Sequence, residues 1–494
     1  MSTRKVSKAS NSPPDLKEHS PKMNGKGRKR LNSEISDGLE YSKKIRQFQA
    51  KLAAEQEKIN AAMGPLAEAD KIDYDDENLV IPDPDCDPEH PRTVTFSDIS
   101  TAMFNIKVGI THTPCTKSLQ LSSLYGMDLY FKKEYLQVTG SFKERGARYA
   151  LSHLTDQERQ RGVIAASAGN HALALSYHGK SLGIPVTVVM PVFAPIMKIS
   201  LCRGYGATVI LKGNNISKAK DYAMRLGKEK GLKYVNGYDA PDILAGQGTI
   251  GLEILEQVPD VDAVLVPVGG GGLIAGVAVA VKTLKKHCQI IGVESETCAS
   301  FTAALKKGHP IGVELSSTLA DGLAVPTVGG NSFQTAKPII DEVVTVHEES
   351  IALAILRLIE MEKAVVEGAG AVGLAAIISN KLPQLKGKKV VCILTGGNID
   401  TTVLGRSIER GLAVDGRLIR LEVVVSDRPG GIAELATHLA HSGASIKDIF
   451  HERAWISTDV FSVKVKIICE TRDRSHVQEL EALLREKYKH VAIS

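Results

Sequence analysis

From about residue 94 to residue 410 the chain alternates short apolar runs with stretches whose apolar residues recur at helical spacing. The runs 163–166, 186–190, 208–211, 264–268, 290–293 and 390–394 are each strand length, and most precede a helix-compatible segment. Strands alternating with helices predict βαβ units around a mainly parallel sheet. After residues 407–416, which read as a glycine-bearing linker, the pattern changes. A strand over 418–425 runs into Asp427-Arg428-Pro429-Gly430, a turn signal. Ile432, Leu435 and Leu439 then repeat at helical spacing up to a capping Gly443, and a strand is expected over 446–451. Phe461, Val463, Val465 and Ile467 alternate with Ser462, Lys464 and Lys466, the pattern of a half-buried strand. Val477, Leu480, Leu484 and Tyr488 predict a second helix, followed by a last strand at Val491. The order βαββαβ is ferredoxin-like.

The N-terminal part carries neither pattern. Residues 1–40 are polar and expected to be disordered, and Ile45, Phe48, Leu52 and Ile59 suggest a short amphipathic helix over 41–63. Residues 65–91 are acidic and proline-bearing, a linker composition. The expected division is therefore 1–93 (basic tail, short helix, acidic linker), 94–410 (an α/β body) and 417–494 (the ferredoxin-like module).

Length supports more than one domain, since 494 residues exceed a single ordinary core. The formal charge of +5 suggests nucleic acid only until it is located. Residues 1–50 hold twelve Lys/Arg against five Asp/Glu, a net of +7, so the remainder nets −2. The basic run 26–30 (KGRKR) thus reads as part of a solvated tail, and no nucleic-acid partner is expected. The seven cysteines are scattered without a Cys-x-x-Cys pair, as in a reduced, cytoplasmic protein. The N-terminus lacks the apolar core of a signal peptide. Residues 263–281 are uncharged, but Pro267 and the glycines 269–272 interrupt them. A strand, a glycine loop and a helix fit better than a membrane span.

Four segments carry candidate chemistry. In Gly140-Ser141-Phe142-Lys143-Glu144-Arg145-Gly146-Ala147 the glycines and the aromatic neighbour suggest that Lys143 sits on an inward-packed turn. A buried amine loses its proton more readily, as Schiff-base chemistry requires. Ala166-Ser167-Ala168-Gly169-Asn170-His171 follows a strand; small residues there let an anion such as a carboxylate approach backbone N–H groups at a helix start. Gly269-Gly270-Gly271-Gly272-Leu273 follows another buried strand and suits a phosphate. Thr395-Gly396-Gly397-Asn398 follows a third. The glycine loop, with Ala275 and Glu294, also satisfies a dinucleotide fingerprint in outline, so an NAD-dependent oxidoreductase is the competing enzyme reading. That reading leaves the lysine and SAGNH segments unexplained.

The segments SFKERGA, SAGNHA, MPVFAP, AGQGTIGLE, PVGGGGLIAG, TLADGLAV, EGAGA and LTGGNID occur in the order found in fold-type-II pyridoxal-phosphate enzymes. Over about residues 110–404 the chain resembles threonine and serine dehydratases and, less closely, serine racemases, and the C-terminal module resembles an ACT domain. The resemblance implies a two-lobed parallel-sheet fold and a pyridoxal 5'-phosphate cofactor. It also implies that Lys143 carries the cofactor as a Schiff base and removes the substrate α-proton, with Phe142 beside the ring. Gly269, Gly270, Gly271, Gly272 and Leu273 would hold the phosphate, Asn170 the ring hydroxyl, and Thr395 would lie by the pyridine nitrogen. Ser167, Ala168, Gly169, Asn170 and His171 would bracket the substrate carboxylate. The implied reaction turns L-threonine into 2-oxobutanoate and ammonia, and L-serine into pyruvate and ammonia. A serine racemase with side dehydratase activity is the alternative. Racemisation needs a second acid/base opposite the lysine, where racemase-like relatives have serine; Ala168 has no proton to give. Relatives place a metal at Glu294 and positions four and six further on, here Cys298 and Ser300; a monovalent cation is conceivable, an ordinary surface glutamate the plainer reading. His171 and Cys392 read as packed residues. A homo-oligomer is expected, with an amino-acid effector at residues 427–431; an amino-acid sensor on a dead enzyme scaffold is the non-enzymatic alternative.

Overall fold

The computed structural model describes residues 81–454 and 459–494. The basic tail, the helix expected over 41–63 and most of the acidic stretch lie outside the described residues. Fourteen strands occur among the described residues: β1 (Cys115–Lys117), β2 (Asp128–Lys133), β3 (Val163–Ala166), β4 (Val186–Met190), β5 (Thr208–Leu211), β6 (Lys233–Tyr234), β7 (Ala263–Pro267), β8 (Gln289–Ser295), β9 (Glu342–Val346), β10 (Lys389–Leu394), β11 (Leu418–Ser426), β12 (Ser445–Glu452), β13 (Ser462–Glu470) and β14 (Val491–Ile493).

Three sheets result. The larger runs β1-β2-β10-β7-β8-β9 and is parallel except for β1; the smaller runs β5-β4-β3-β6 and is wholly parallel. Helices cover these strands, so β7 is buried at every residue and β10 at all but its first, which is why both read as unbroken apolar runs. The uncharged stretch 263–281 resolves into β7 and the helix Gly272–Leu284, whose N-cap Gly271 has φ +93°. Among the described residues no helix is long and apolar enough to cross a membrane.

The third sheet, β12-β13-β11-β14, is antiparallel and packs the helices Gly431–Ser442 and Arg474–Lys487, giving the ferredoxin-like order. β13 alternates buried and half-buried residues as expected. Phe461 does not join its inward face: the strand begins at Ser462 and Phe461 is 80% exposed. Its N–H donates to the Asp459 side chain, so it belongs to the turn before the strand.

Two expectations about connections fail. Residues 407–416 are no linker, because the helix Thr401–Val414 runs through them. Gly411 is a packing glycine: a β-carbon there would meet the Ala352 carbonyl at 2.9 Å on the helix Glu348–Glu362. The described part of the acidic stretch, residues 81–91, is tied down at particular residues, with Asp83 buried and Cys86 against an apolar cluster while Pro82, Pro84 and 88–90 stay exposed. Its side chains find charged and amide partners that its composition does not reveal.

Candidate active site

Three of the four candidate segments leave the carboxyl ends of β3, β7 and β10, where ligands of open parallel sheets bind. Lys143 opens the helix Lys143–Ser152, with Phe142 as N-cap. This turn is stitched to the end of β10 by backbone bonds. Phe142 N–H donates to the Thr395 carbonyl at 3.0 Å, and Gly397 N–H donates to the Gly140 carbonyl at 2.9 Å. Behind it lies a buried set of four charges. Arg145 donates to Glu134 at 2.7 and 2.8 Å and to Glu253 at 2.6 and 2.8 Å, and Lys132 donates to Glu253 at 2.5 Å. Two positive and two negative groups balance, as burial demands. Burial alone would raise Glu134, but the Arg145 guanidinium beside it wins and holds its carboxyl below the usual range.

Burial pushes the Lys143 amine down to about 8, partly opposed by the Glu367 carboxylate. Its Nζ donates to the Gly237 carbonyl at 2.5 Å and lies 5.2 Å from the centre of the Phe142 ring. The next residue, Tyr238, packs on the glycine loop: a β-carbon on Gly270 would meet its ring at 2.3 Å, and one on Gly272 its carbonyl at 2.4 Å. Those glycines are therefore also required by a neighbouring segment. Gly271, in the left-handed region, turns the chain into its helix, whose first-turn N–H groups from Gly272 and Leu273 onward lack intrahelical acceptors.

On the other side, the helix Asn170–Leu182 starts directly after Ser167, Ala168 and Gly169. Gly169 N–H donates to Ser167 Oγ at 3.3 Å. The Asn170 side chain donates to Glu367 at 2.8 Å and accepts from Asn398 at 2.9 Å. His171 is buried, and burial, with Lys143 nearby, pushes its imidazole down to about 3, so it is neutral. Its Nε2 faces the Val235 carbonyl at 3.1 Å, which makes it the packed residue expected. Cys392 is likewise core.

Glu367, Gly237 and Tyr238 were not singled out from the sequence. Glu367 is buried, and that burial, with Asp321 nearby, pushes its carboxyl up to about 7. The only sequence signal for it was its place in EGAGA. The surface reading of Glu294 is corrected. Glu294 is not a surface residue but fully buried, and both its oxygens are occupied by Phe301 N–H (2.7 Å), Thr302 N–H (2.9 Å) and Thr302 Oγ1 (2.6 Å). It caps the helix Ser300–Lys307. Cys298 donates to the Val325 carbonyl instead. Among the described residues no three His, Cys, Asp or Glu side chains converge as a metal site.

The donor set fits pyridoxal phosphate. An amine that ionises near neutrality suits an aldehyde, the helix start at Gly272 suits a phosphate, and an oriented amide stands at Asn170. Beside them Thr139 Oγ1, Ser141 Oγ and His171 Nδ1 are buried without a partner among the described residues, polar capacity that a bound ligand can meet.

The model of the family described as pyridoxal-phosphate dependent enzyme matches residues 106–396. The chain is 45% identical over 400 residues to an L-threonine ammonia-lyase of Thermotoga maritima, covering 81% of this chain and 99% of that protein. Among solved structures it resembles the processed form of threonine deaminase isoform 2 from Solanum lycopersicum (36% identity, TM-score 0.61, 65% of this chain and 90% of that one). It also resembles maize serine racemase (32% identity, TM-score 0.61, 65% and 98%). A match that contains the lysine turn, the SAGNH helix start, the glycine loop and the β10 end leaves no room for the dinucleotide reading, and the chain belongs to the pyridoxal-phosphate dependent enzyme family.

Proposed function

We propose that this chain is an L-threonine ammonia-lyase that also accepts L-serine, releasing ammonia and 2-oxobutanoate or pyruvate. The observation that carries this reading is the 45% identity to the Thermotoga maritima enzyme across 99% of that protein. The site's chemistry agrees with it. When bound, pyridoxal phosphate supplies the sink for the electron pair left on the α-carbon. The glycine loop and the helix start at Gly272 hold a phosphate. Backbone donors from Ser167 to His171 hold the substrate carboxylate and so turn the Cα–H bond toward Lys143. Lys143 is the residue that would hold the cofactor, and as a buried amine with a lowered pKa it would also serve as the base for the substrate α-proton. Thr395 would stand by the ring nitrogen with a neutral hydroxyl, which would not hold a proton there as a carboxylate would, and this would favour elimination of the β-hydroxyl over long-lived carbanion chemistry. Glu367 and Asn398 hold Asn170 from its two ends.

Ala168 separates this reaction from racemisation, because a methyl group cannot reprotonate the opposite face of the α-carbon. An amino-acid effector at residues 427–431 and a homo-oligomer are proposed from the resemblance of the C-terminal module to an ACT domain, which its ferredoxin-like order supports. The test is a 2-oxo-acid assay on L-threonine and L-serine alongside D-serine detection. The wild-type chain deaminates both substrates and forms little D-serine, and Ala168→Ser gains racemisation. Efficient D-serine formation by the wild-type chain, or no 2-oxobutanoate from threonine, contradicts the proposal.

A further inference from the structure

The acidic stretch just before the α/β body has no place in the chemistry above, yet its side chains are committed. Asn331, 1% exposed on the helix Gly330–Ala336, uses its whole amide. Its Nδ2 donates to the Asp85 carbonyl at 2.7 Å and to the Asp239 carbonyl at 2.9 Å, and its Oδ1 accepts from Arg92 N–H at 2.6 Å. The Asp85 carboxylate pairs with Arg92 at 2.7 Å and with Lys233, which lies on β6 of the smaller sheet. Asn236 Nδ2 reaches the buried Asp83 at 3.5 Å, and Val94 N–H donates to Thr335. Residues 81–92 therefore touch both the smaller sheet, through the Asp85 carboxylate, and the helix Gly330–Ala336, through the Asp85 carbonyl and the Arg92 N–H.

Between these anchors lies residues 236–239, the segment whose Gly237 carbonyl accepts Lys143 Nζ and whose Tyr238 fills the space over Gly270 and Gly272. That segment has further ties to the same helix: Ser332 Oγ donates to the Tyr238 carbonyl at 2.7 Å, and Ser332 N–H to Asp239 Oδ1 at 2.8 Å. Pro82, Pro84, Pro88 and Pro91 stiffen the stretch and bring no N–H groups that would need partners.

We propose that residues 81–92 form a strap across the two lobes that holds residues 236–239 in place, so that Asp85 and Asn331 are positioning residues for Lys143 and the glycine loop. The inference rests on Lys143 being the cofactor-carrying amine. Loosening the strap frees the Gly237 carbonyl and admits water to the lysine, and lets Tyr238 move off the phosphate cradle.

Two readouts on the full chain need no amino-acid substrate. One is the titration midpoint of Lys143 in cofactor-free protein, followed by competitive acylation across pH and peptide mass spectrometry; Glu367 and His171 are the titratable groups facing this amine. The other is the dissociation constant of pyridoxal phosphate. Asn331→Ala raises the midpoint toward that of an ordinary lysine and weakens cofactor binding about tenfold. Asp85→Ala, at a partly exposed site that does not threaten folding, shifts both in the same direction and weakens binding about threefold. Unchanged midpoint and affinity in these variants overturn the strap while leaving the catalytic reading intact. Should Asn331→Ala not fold, Asp85→Ala alone decides on the same criterion. A wild-type chain that binds the cofactor but fails to deaminate threonine removes the functional reading, while the two shifts still decide the strap.

Discussion

At the scale of single residues the account turns on one amine. Lys143 must be unprotonated to attack an aldehyde, and burial brings it from 10.5 to about 8. Below that value the folded protein holds the proton and the amine is inert; above it the amine is free. Capture of pyridoxal phosphate by cofactor-free protein should therefore accelerate with pH through about 8 and then level off, as followed by the growth of the bound cofactor's visible absorbance. A midpoint two units higher would mean a solvated lysine. Lys143, Asn170 and the glycine loop stand out in the sequence because each lies in a motif whose residue types the proposed chemistry requires. Glu367 does not, since its raised pKa comes from burial and then from Asp321, surroundings that only the tertiary fold supplies. Gly237 acts through a backbone carbonyl, for which side-chain identity carries no signal. Glu294 reads from sequence as a surface glutamate, yet it is fully buried because its carboxylate accepts the Phe301 and Thr302 N–H groups at a helix start, partners that the linear sequence does not mark.

At the scale of elements, the glycine loop answers to two constraints, the anion that its N–H groups suit and the segment that packs on it. Gly270→Ala would place a methyl within 2.3 Å of the Tyr238 ring, so one of them must move. It should weaken pyridoxal phosphate binding about tenfold or more, and Tyr238→Ala in the same chain should recover part of that loss. Titrating the cofactor into the single and double variants tests this, and strictly additive losses would show that the two do not meet. Strands β7 and β10 were legible from continuous apolar runs, and β13 from alternation, because burial on two faces or one writes those patterns directly. Glycine signals flexibility in isolation, so residues 407–416 read as a linker, although the helix Thr401–Val414 runs through most of them. Here Gly411 lets two helices approach, a property of the pair rather than of either sequence. The same holds for residues 81–91: proline and aspartate read as a linker composition, and the ties to Lys233, Arg92 and Asn331 come only from the tertiary fold.

At the scale of the whole molecule, the catalytic body and the C-terminal sheet are joined by charge. Arg357 on the helix Glu348–Glu362 pairs with Asp415, and Arg417, just before β11, reaches back to Glu360 on that helix at 2.7 Å. An effector bound at the turn before the helix Gly431–Ser442 would thus have a physical route to the body. In the full chain, at least one member of a panel of the standard L-amino acids should change the deamination rate beyond simple competition with substrate. The response should disappear on deletion of residues 417–494 and in Gly431→Ala, whose methyl would meet the Ser426 carbonyl at 2.2 Å. A response unchanged by either alteration would place the effector elsewhere.

The most direct test of the whole account is chemical. The purified chain loaded with pyridoxal phosphate is reduced with borohydride, digested, and its peptides weighed. A single pyridoxyl group on the peptide carrying Lys143, absent from Lys143→Ala, together with loss of threonine deamination in that variant, is the result expected. A chain that takes up no cofactor, or carries the label on another lysine, would contradict it.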